Sequence, residues 1–344
     1  MPELFVTNYN PNFTGVSATA ANVIRQQMRH HDLALVGQPL PGCPAPVTPA
    51  QAHRVCRSGP TENRPFAIWH VRRNPEMRSA IWLRDVRRAP IRIVFTSAAQ
   101  RLHSAYPRWL IRRMDAVIAT TEKAAEFVPH VRAVVPHGVD TDLFTPAPDR
   151  AAAWQALGFG GSRGIATVGR IRPEKGTDIF VDAMLRFLPD HPDVTALVVG
   201  RAGGKFESYL NGLRNRVSAA GLTDRLRFVG EIPSPDLPPL MRALSLVMQL
   251  PRYEGYGMVP LEGLASGTPF VGSDAGYYRS FSDAGRVGTI VPLDNPEAAA
   301  AAAKALLERD DTIAEAARHT ALSRFSARAE ADGIDAVYQS LWHG

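Results

Sequence analysis

Residues 254 to 262 read Glu-Gly-Tyr-Gly-Met-Val-Pro-Leu-Glu, and the apolar segment Leu-Ala-Ser-Gly-Thr-Pro-Phe-Val follows at residues 264 to 271. Pro260 suits the first turn of a helix, because its missing N–H would have no intrahelical partner there. Gly255 and Gly257 let backbone N–H groups approach a ligand closely, and N–H groups at a helix start attract anions. The segment predicts a turn, a helix and a strand, with a binding site for a phosphorylated, hydroxyl-rich small molecule at the turn.

Short apolar runs alternate with helical stretches on both sides of this segment. In the second half, strands are predicted at residues 164–168, 196–200, 227–229, 246–248, 270–272 and 289–291. In the first half, strands are predicted at residues 4–7, 66–69, 91–95, 116–119 and 134–139. Strands that alternate with helices indicate α/β domains, in which parallel sheets carry helices on their faces.

The length of the chain predicts two domains, because 344 residues exceed the usual size of a single core. We place the first domain at residues 1–145 and the second at residues 150–327, with the proline-rich stretch 146–148 as the linker. Residues 39–60 are also rich in proline and are expected to form a loop region around a short strand.

Positive charge is concentrated in the first domain. Residues 1–145 contain 18 Lys and Arg against 10 Asp and Glu, whereas the remainder contains 21 against 23. The excess is densest at residues 64–113, where twelve arginines are interleaved with Trp69, Trp82 and Trp109. This pattern favours an anionic membrane surface, a phosphorylated lipid headgroup or nucleic acid, although a solvated arginine-rich face has the same composition. Since no known nucleic-acid motif accompanies it, we expect no nucleic-acid partner.

The sequence shows no membrane span and no secretory signal. No apolar run reaches the roughly 18 residues that a span needs, and the N-terminus has no charged region followed by an apolar stretch. Cys43 and Cys56 are too few for a zinc site or a disulfide framework. We expect a cytoplasmic protein.

Two further segments place glycine and positive charge after predicted strands. Gly15 follows the strand 4–7 and a loop and opens a helix, which is an arrangement that suits phosphate. Gly169-Arg170 and Lys175 follow the strand 164–168. Arginine supplies a planar fork and lysine a movable point charge, so this pair is predicted to hold a diphosphate and to stabilise negative charge on it as it leaves.

The spacing of Glu254 and Glu262 resembles the signature of retaining glycosyltransferases of the GT-B fold, family 4 type. The match runs without a gap through Val271, and Gly169-Arg170 with Lys175 fits the same family. This resemblance implies two Rossmann-like domains with parallel sheets that face a central cleft. It also implies that a final helix, at about residues 328–344, packs back on the N-terminal domain.

The resemblance also implies roles for individual residues. Glu254 would contact the donor sugar near the reacting carbon, Glu262 would hold the ribose hydroxyls, and Arg170 and Lys175 would complete the catalytic set. The donor would be held further by Gly15, Gly169, Glu231, Ile232, Gly255, Tyr256, Gly257, Met258 and Val259. No Asp-x-Asp motif stands in a suitable place, so neither a metal nor another cofactor is expected.

One position departs from the family pattern. Many relatives have a histidine just after the strand that corresponds to residues 91–95, but here Thr96-Ser97 follows Phe95. His70 is the alternative that we assign to the catalytic set, although a lone histidine is more often structural than catalytic.

The segment Trp69-His-Val-Arg-Arg-Asn-Pro-Glu-Met77 narrows the resemblance to lipopolysaccharide core mannosyltransferases, and the likeness covers nearly the full length. It implies GDP-mannose as the donor and the Kdo–lipid A inner core as the acceptor, at the cytoplasmic face of the inner membrane. An anionic glycolipid acceptor accounts for the basic first domain, and we assign acceptor binding to Trp69, Arg72 and Arg73. Two alternatives remain: transfer from UDP-glucose or UDP-N-acetylglucosamine, and a non-catalytic sugar-binding subunit at a membrane surface. The sequence does not indicate an oligomeric state.

Overall fold

The chain folds into two compact units. The computed structural model describes residues 2–56, 64–309 and 312–344. Unit 1 comprises Met1–Gly138 and Phe325–Gly344, and unit 2 comprises Val139–Arg324. The linker expected at residues 146–148 therefore lies within unit 2, and the chain passes between the units after Gly138 and again after Arg324.

Unit 1 contains a six-stranded parallel sheet with the order β2-β1-β3-β4-β5-β6. Its strands are β1 (Leu4–Asn8), β2 (Leu33–Gly37), β3 (Ala67–Val71), β4 (Ile91–Ser97), β5 (Ala116–Ala119) and β6 (Val131–Val134). Its first helices are α1 (Gly15–Gln27), α2 (Pro49–Cys56), α3 (Asn74–Ile81), α4 (Ala105–Ile111) and α5 (Glu122–Ala125). Every residue of β1, β3 and β5 is buried, as is usual for parallel strands that carry helices on both faces.

Unit 2 repeats this architecture with the strand order β12-β11-β10-β7-β8-β9, again all parallel. Its strands are β7 (Arg163–Val168), β8 (Val194–Val199), β9 (Leu226–Gly230), β10 (Leu246–Gln249), β11 (Phe270–Ser273) and β12 (Gly288–Val291). Its helices are α6 (Arg150–Ala156), α7 (Thr177–Phe187), α8 (Glu207–Ala219), α9 (Leu237–Ala243), α10 (Val259–Ala265), α11 (Tyr278–Phe281), α12 (Pro296–Leu307) and α13 (Thr312–Arg324). The prediction of two Rossmann-like α/β domains is confirmed.

The final helix, α14 (Ala327–His343), belongs to unit 1. Ile334 and Tyr338 on α14 are buried in one core cluster with Val6 and Ile24. The indole N–H of Trp342 donates to the carbonyl of Phe66 at 3.0 Å. The last helix therefore completes the core of the first unit.

Several elements differ from the sequence prediction. The last strand of unit 1 is Val131–Val134 and not residues 134–139. The helix α2 begins at Pro49 inside the stretch expected to be a loop, because proline is tolerated in the first turn of a helix. The basic segment after β3, for which a helix over about residues 76–88 is predicted from the sequence, is α-helical to Ile81 and continues as the π-helical turn Trp82–Val86. The strand β2 and the helices α6 and α13 were not anticipated.

Each sheet reverses its strand order beside its first strand. In unit 1 the first strand, β1, lies between β2 and β3, and in unit 2 the first strand, β7, lies between β8 and β10. The loops after the two strands at such a reversal separate to opposite faces, and the crevice between them is where open parallel sheets bind ligands. The fold thus places one crevice between the loops after β1 and β3, and another between those after β7 and β10.

In the part of the chain that the structure describes, no helix is long and apolar enough to cross a membrane.

Candidate functional site

Glycines shape the base of the unit 2 crevice. Gly169 follows β7 with φ of +146°, and Gly200 follows β8 with φ of +142°. A Cβ on Gly200 would lie 1.8 Å from the carbonyl oxygen of Gly169, so no larger residue fits there. A Cβ on Gly169 would meet no atom within 4 Å among the described residues. The carboxyl end of β7 therefore has open space above a closely packed backbone, as a bound ligand needs.

Lys175 and Glu254 bring the two loops of this crevice together. The Lys175 ammonium donates to Glu254 Oε2 at 2.7 Å, with both side chains partly exposed. Glu254 Oε1 accepts from the N–H of Gly255 at 2.9 Å. The structure thus places two of the predicted catalytic residues in direct contact. The amide of Gly255, predicted to hold a sugar hydroxyl, already serves the carboxylate of Glu254.

Arg252 fixes the loop that carries Glu254. Its guanidinium donates to Asp178 Oδ1 and Oδ2 at 2.9 and 2.8 Å, and to the carbonyl of Pro173. Its Nε lies 2.7 Å from Asp294 Oδ1, and its backbone N–H donates to the carbonyl of Glu174 at 3.0 Å. Because Pro173 and Glu174 immediately precede Lys175, Arg252 fixes the position of the Glu254 loop relative to the Lys175 loop.

A left-handed glycine completes the same junction. Gly176 has φ of +66° and precedes α7. A Cβ there would lie 1.8 Å from the carbonyl oxygen of Leu250, the residue that follows β10. Only glycine lets the Lys175 loop approach the end of β10 this closely.

The turn at residues 255–257 rests on an aromatic cluster. Tyr256 is buried and stacks on Tyr277, with ring centroids 5.4 Å apart. Gly257 has φ of +93°, and a Cβ there would lie 2.2 Å from Cε1 of Tyr278. The ring of Tyr256 therefore anchors the turn, so its predicted contribution to donor binding is restricted to its backbone.

Glu262 is the most strongly perturbed acid of the site. It lies in the first turn of α10, where burial raises the pKa of its carboxyl to about 7. Its Oε2 is inaccessible to solvent and has no hydrogen-bond partner in the structure. A buried carboxylate oxygen without a partner is costly, and hydroxyl groups of a ligand would satisfy it. Met258 and Val259 form the start of the same helix, next to the turn that holds Glu254.

The remaining predicted residues of this site follow the central strand β7 and the edge strand β9. Arg170 is exposed, and its guanidinium has no hydrogen-bond or ion-pair partner among the described residues. Glu231, in the loop after β9, forms an exposed ion pair with Arg201 at 3.5 Å, and the partly buried Ile232 follows it. The loops of three neighbouring strands, β7, β8 and β9, thus carry these groups to one edge of the sheet.

Glu76 organises the unit 1 crevice. This buried carboxylate accepts five hydrogen bonds, from the hydroxyl of Thr7, the backbone N–H groups of Tyr9, Arg72 and Arg73, and the Arg73 guanidinium, at 2.8 to 3.2 Å. Since Thr7 lies on β1 and Arg72 follows β3, the two loops at the strand reversal are tied together.

Arg73 is also committed to internal bonds. Besides Glu76, its guanidinium donates to Asn8 Oδ1 and to the hydroxyls of Thr14 and Ser17, at 3.0 to 3.1 Å. It thereby fixes the loop before Gly15. Gly15 begins α1 in an exposed position, and a Cβ there would meet no atom within 4 Å among the described residues. These bonds indicate that the Arg73 side chain positions the Gly15 loop. They do not support the acceptor-binding role that was predicted for it.

His70 has a structural position. It is fully buried on β3, with Nδ1 hydrogen-bonded to the Tyr338 hydroxyl and Nε2 2.7 Å from the Thr96 hydroxyl. Burial, with a smaller effect from Arg72, holds the pKa of His70 well below its usual range, so the ring is neutral. A buried ring with both nitrogens occupied does not fit the catalytic role that we predicted from the sequence.

Trp69 and Arg72 also lie inside unit 1 and not on its surface. Trp69 is fully buried and stacks on Phe5, with centroids 5.1 Å apart. Arg72 is nine-tenths buried, and its Nε and Nη1 have no hydrogen-bond partner among the residues that the structure describes. A core position excludes Trp69 from acceptor binding in this conformation. The sequence analysis grouped Trp69 with the exposed Trp82 and Trp109 because all three lie among the same arginines.

Arg252, Asp178 and Glu76 are functional candidates that the sequence analysis did not assign. Arg252 lies two residues before Glu254, but its bonds to Asp178 span 74 residues and follow no sequence spacing. Within residues 2–56, 64–309 and 312–344, no group of three His, Cys, Asp or Glu side chains converges as a metal site requires.

Comparison with known proteins supplies a family context. Residues 151–321 match the family model of glycosyl transferases group 1. The chain is 38% identical, over 98% of its length and 97% of the relative's, to the lipopolysaccharide core biosynthesis mannosyltransferase LpsB of Rhizobium meliloti. It is 39% identical, over 98% of its length and 96% of the relative's, to the corresponding protein LpcC of Rhizobium leguminosarum bv. viciae.

Solved structures share the fold. The structure of Alr3699/HepE of Anabaena, in complex with UDP and glucose, superimposes with a TM-score of 0.81 at 18% identity, over 98% of this chain and 99% of that one. A glycosyltransferase from Rickettsia africae gives a TM-score of 0.81 at 16% identity, over 99% and 98% of the two chains. At these identities the likeness concerns the fold and not the substrate.

Proposed function

The chain belongs to the group 1 glycosyltransferase family, and from that premise we propose that it transfers mannose from GDP-mannose to the Kdo–lipid A inner core of lipopolysaccharide. It is an enzyme of the glycosyltransferase class. The mannosyl group and the lipopolysaccharide core as acceptor are supported by the relatives, which match over 98% of this chain and are named for that reaction.

The unit 2 crevice carries the proposal for the donor. Lys175 and Glu254 are in contact at 2.7 Å beside a glycine-lined strand end, and Arg170 extends from the same loop. The unpartnered Oε2 of Glu262 lies in the first turn of the helix that follows Glu254. Two cations suit a diphosphate, and two carboxylates suit the hydroxyls of a sugar and of a ribose.

The proposed transfer retains the anomeric configuration. The bond between the sugar carbon C1 and the phosphate oxygen breaks, and a bond from C1 to an acceptor oxygen forms on the same face. The proton of the acceptor hydroxyl passes to the departing phosphate oxygen. Lys175 and Arg170 stabilise the negative charge of that phosphate, which is the kind of preorganised electrostatic contribution that dominates many enzyme reactions.

The acceptor is proposed to lie in a membrane, with the enzyme at its cytoplasmic face. Unit 1 supplies the positive charge that an anionic glycolipid requires, since the arginine-rich segment 64–113 falls within it. Arg72 and Arg73 are largely buried, so the exposed arginines of this unit are the better candidates for the contact.

A donor screen tests the proposal. GDP-mannose, UDP-glucose, UDP-N-acetylglucosamine and ADP-heptose are each supplied with a Kdo–lipid A acceptor, with and without EDTA. We expect transfer from GDP-mannose alone, unchanged by EDTA, and an α-linked product by NMR. The Lys175→Met variant is the negative control. Turnover with another donor in preference to GDP-mannose, or no turnover by a folded enzyme, would overturn the proposal.

A further inference from the structure

Large exposed hydrophobic side chains are distributed unevenly between the two units. Among the described residues, ten lie in unit 1 and four in unit 2. Five of the ten fall within residues 82–109, and the most exposed of them are Val86 and Leu102, at 63% and 61%. The five are Trp82, Val86, Leu102, Tyr106 and Trp109. Single exposed hydrophobic residues are ordinary, but a group of this kind marks an interaction surface.

Polar contacts join the turn that carries Trp82 and Val86 to the segment that carries Tyr106 and Trp109, and Leu102 lies four residues before Tyr106. Asp85, in the π-helical turn, forms an ion pair with Arg113, whose guanidinium lies 5.3 Å from the ring of Trp109. The same turn is tied to the start of β5 through Arg84, which lies 2.7 Å from Asp115. Trp109 stacks on Tyr106 in α4. We name the surface formed by the turn Trp82–Val86 and residues 101–113 the aromatic–arginine face.

The aromatic–arginine face is strongly basic. Arg101, Arg108 and Arg112 are exposed on it, and Arg87 and Arg88 are exposed directly after its π-helical turn. The acidic side chains among residues 82–113 are restricted to Asp85, which is already paired with Arg84 and Arg113. Tryptophan and tyrosine favour the level of lipid headgroups, and each arginine near an anionic bilayer adds to its attraction.

We propose that the aromatic–arginine face docks unit 1 on an anionic phospholipid bilayer. This deepens the proposed function, on which it rests for the membrane location of the acceptor, by naming the surface and the lipid chemistry. Charge complementarity favours phosphatidylglycerol or a similar anionic lipid. Val86 and Leu102 favour a bilayer over nucleic acid, because aliphatic side chains find apolar surroundings at a headgroup boundary and none along a phosphate backbone.

The face is built to present these groups outward. In α4, Leu110 and Ile111 are fully buried, while Tyr106 and Trp109 are half exposed. In the π-helical turn, Leu83 is fully buried while Trp82 is 43% exposed. Both segments therefore have an inner anchor in the core of unit 1 and an outer aromatic side chain that no described residue covers completely.

Vesicle sedimentation of the full chain tests the inference. The vesicles contain phosphatidylcholine alone or with phosphatidylglycerol, and no acceptor sugar, so the result is independent of transferase activity. We expect binding to the anionic vesicles that weakens with added salt. The triple change Arg101→Ala, Arg108→Ala, Arg112→Ala is expected to reduce it on the order of 100-fold. The double change Trp82→Ala, Trp109→Ala is expected to reduce it by about 10-fold or more.

Matched controls come from unit 2. The triple change Arg186→Ala, Arg214→Ala, Arg227→Ala removes equal charge from exposed positions, and Leu322→Ala shortens a side chain that is 46% exposed. Neither should alter vesicle binding, and thermal melts confirm that each variant is folded. Absence of vesicle binding, equal losses in the control variants, or retention on RNA in place of vesicles would overturn the inference.

Discussion

The two strand-order reversals of this molecule differ in how their polar groups are used. In unit 1, Glu76 accepts five hydrogen bonds and Arg73 donates to three side chains besides it, so the loops are locked to each other. In unit 2, Lys175 and Glu254 form one partly exposed contact, while Glu262 Oε2 and the Arg170 guanidinium have no partner among the described residues. The network around Glu76 and Arg73 in unit 1 is thus closed, although Nε and Nη1 of the neighbouring Arg72 have no partner among the described residues. The network around Lys175 and Glu254 in unit 2 is open.

This difference predicts which substitutions alter stability and which alter activity. Groups that satisfy each other stabilise the fold, and groups left without partners bind ligands at a cost in stability. Changes at the unit 1 reversal should therefore mainly alter the free energy of unfolding, whereas changes at the unit 2 reversal should mainly alter activity.

The largest expected effect is that of Glu76→Ala. It removes a buried carboxylate with five hydrogen-bond donors, and leaves Arg73 without its ionic partner. We expect a loss of about 3–5 kcal/mol in the free energy of unfolding, measured by urea denaturation. Glu126→Ala, at an exposed position, is the control and should change the free energy of unfolding little. A loss below about 1 kcal/mol would contradict a closed network in unit 1.

Lys175→Met tests the open network. Its ammonium contacts Glu254 and is proposed to stabilise the departing phosphate, so kcat should fall by about 10²–10³ while the melting temperature changes little. Lys205→Met, an exposed lysine of the same unit, is the matched control. If both variants keep their activity, Lys175 has no part in the reaction.

Glu262→Gln should change how stability depends on pH. The pKa of Glu262 is about 7 in the folded state, against an ordinary value of 4.5 for glutamate, so the folded state keeps its proton in the pH window where the unfolded state loses it. Wild-type stability therefore falls as pH rises from 4.5 to 7, by as much as about 3 kcal/mol. Denaturation at pH 5 and pH 8 should show this fall in the wild type and not in the variant. Glu308→Gln, at an exposed position, should behave as the wild type.

Arg252→Lys should have a smaller effect. Lysine keeps the charge but cannot donate to Asp178 Oδ1 and Oδ2 and to Asp294 together. We expect kcat to fall about 10-fold, since a misplaced reacting group costs rate, with the donor KM little changed. Arg252→Met should lower kcat more than Arg252→Lys does. An unchanged kcat in both would show that the loop needs no such tie.

Tyr338→Phe is expected to have the smallest effect. It removes the buried hydroxyl that is bonded to His70 Nδ1 and to the side chain of Gln27, and should cost about 1 kcal/mol of stability with kcat unchanged. A large fall in kcat without loss of stability would restore the catalytic role first assigned to His70.

The sequence predicted the parts of the molecule that depend on local pattern. The alternation of strands and helices, the start of a helix near Pro260 and the clustering of Gly169, Lys175 and Glu254 all follow from short-range signals that the fold brings to one sheet edge. The sequence did not separate the buried Trp69 from the exposed Trp82 and Trp109, because burial depends on which helix packs above each strand.

The contacts that position the site also could not be predicted from the sequence. The bond from Arg252 to Asp178 spans 74 residues, and that from His70 to Tyr338 spans 268. Such pairs arise from the strand order and from the packing of the final helix on unit 1, and no local spacing in the sequence predicts them. His70 consequently received a catalytic role that its buried hydrogen bonds do not support.

Binding of GDP-mannose, measured by calorimetry at pH 8, tests the central claim most directly. The claim is that the crevice of unit 2 supplies the main polar contacts for the donor, and that Glu262 is one of them. We expect the wild type and Arg73→Lys to bind alike, and Glu262→Gln to bind about 100-fold more weakly, because a site built to accept hydroxyl hydrogen bonds loses a charged partner. Undiminished binding by Glu262→Gln, together with loss of binding in a folded Arg73→Lys variant, would contradict the account.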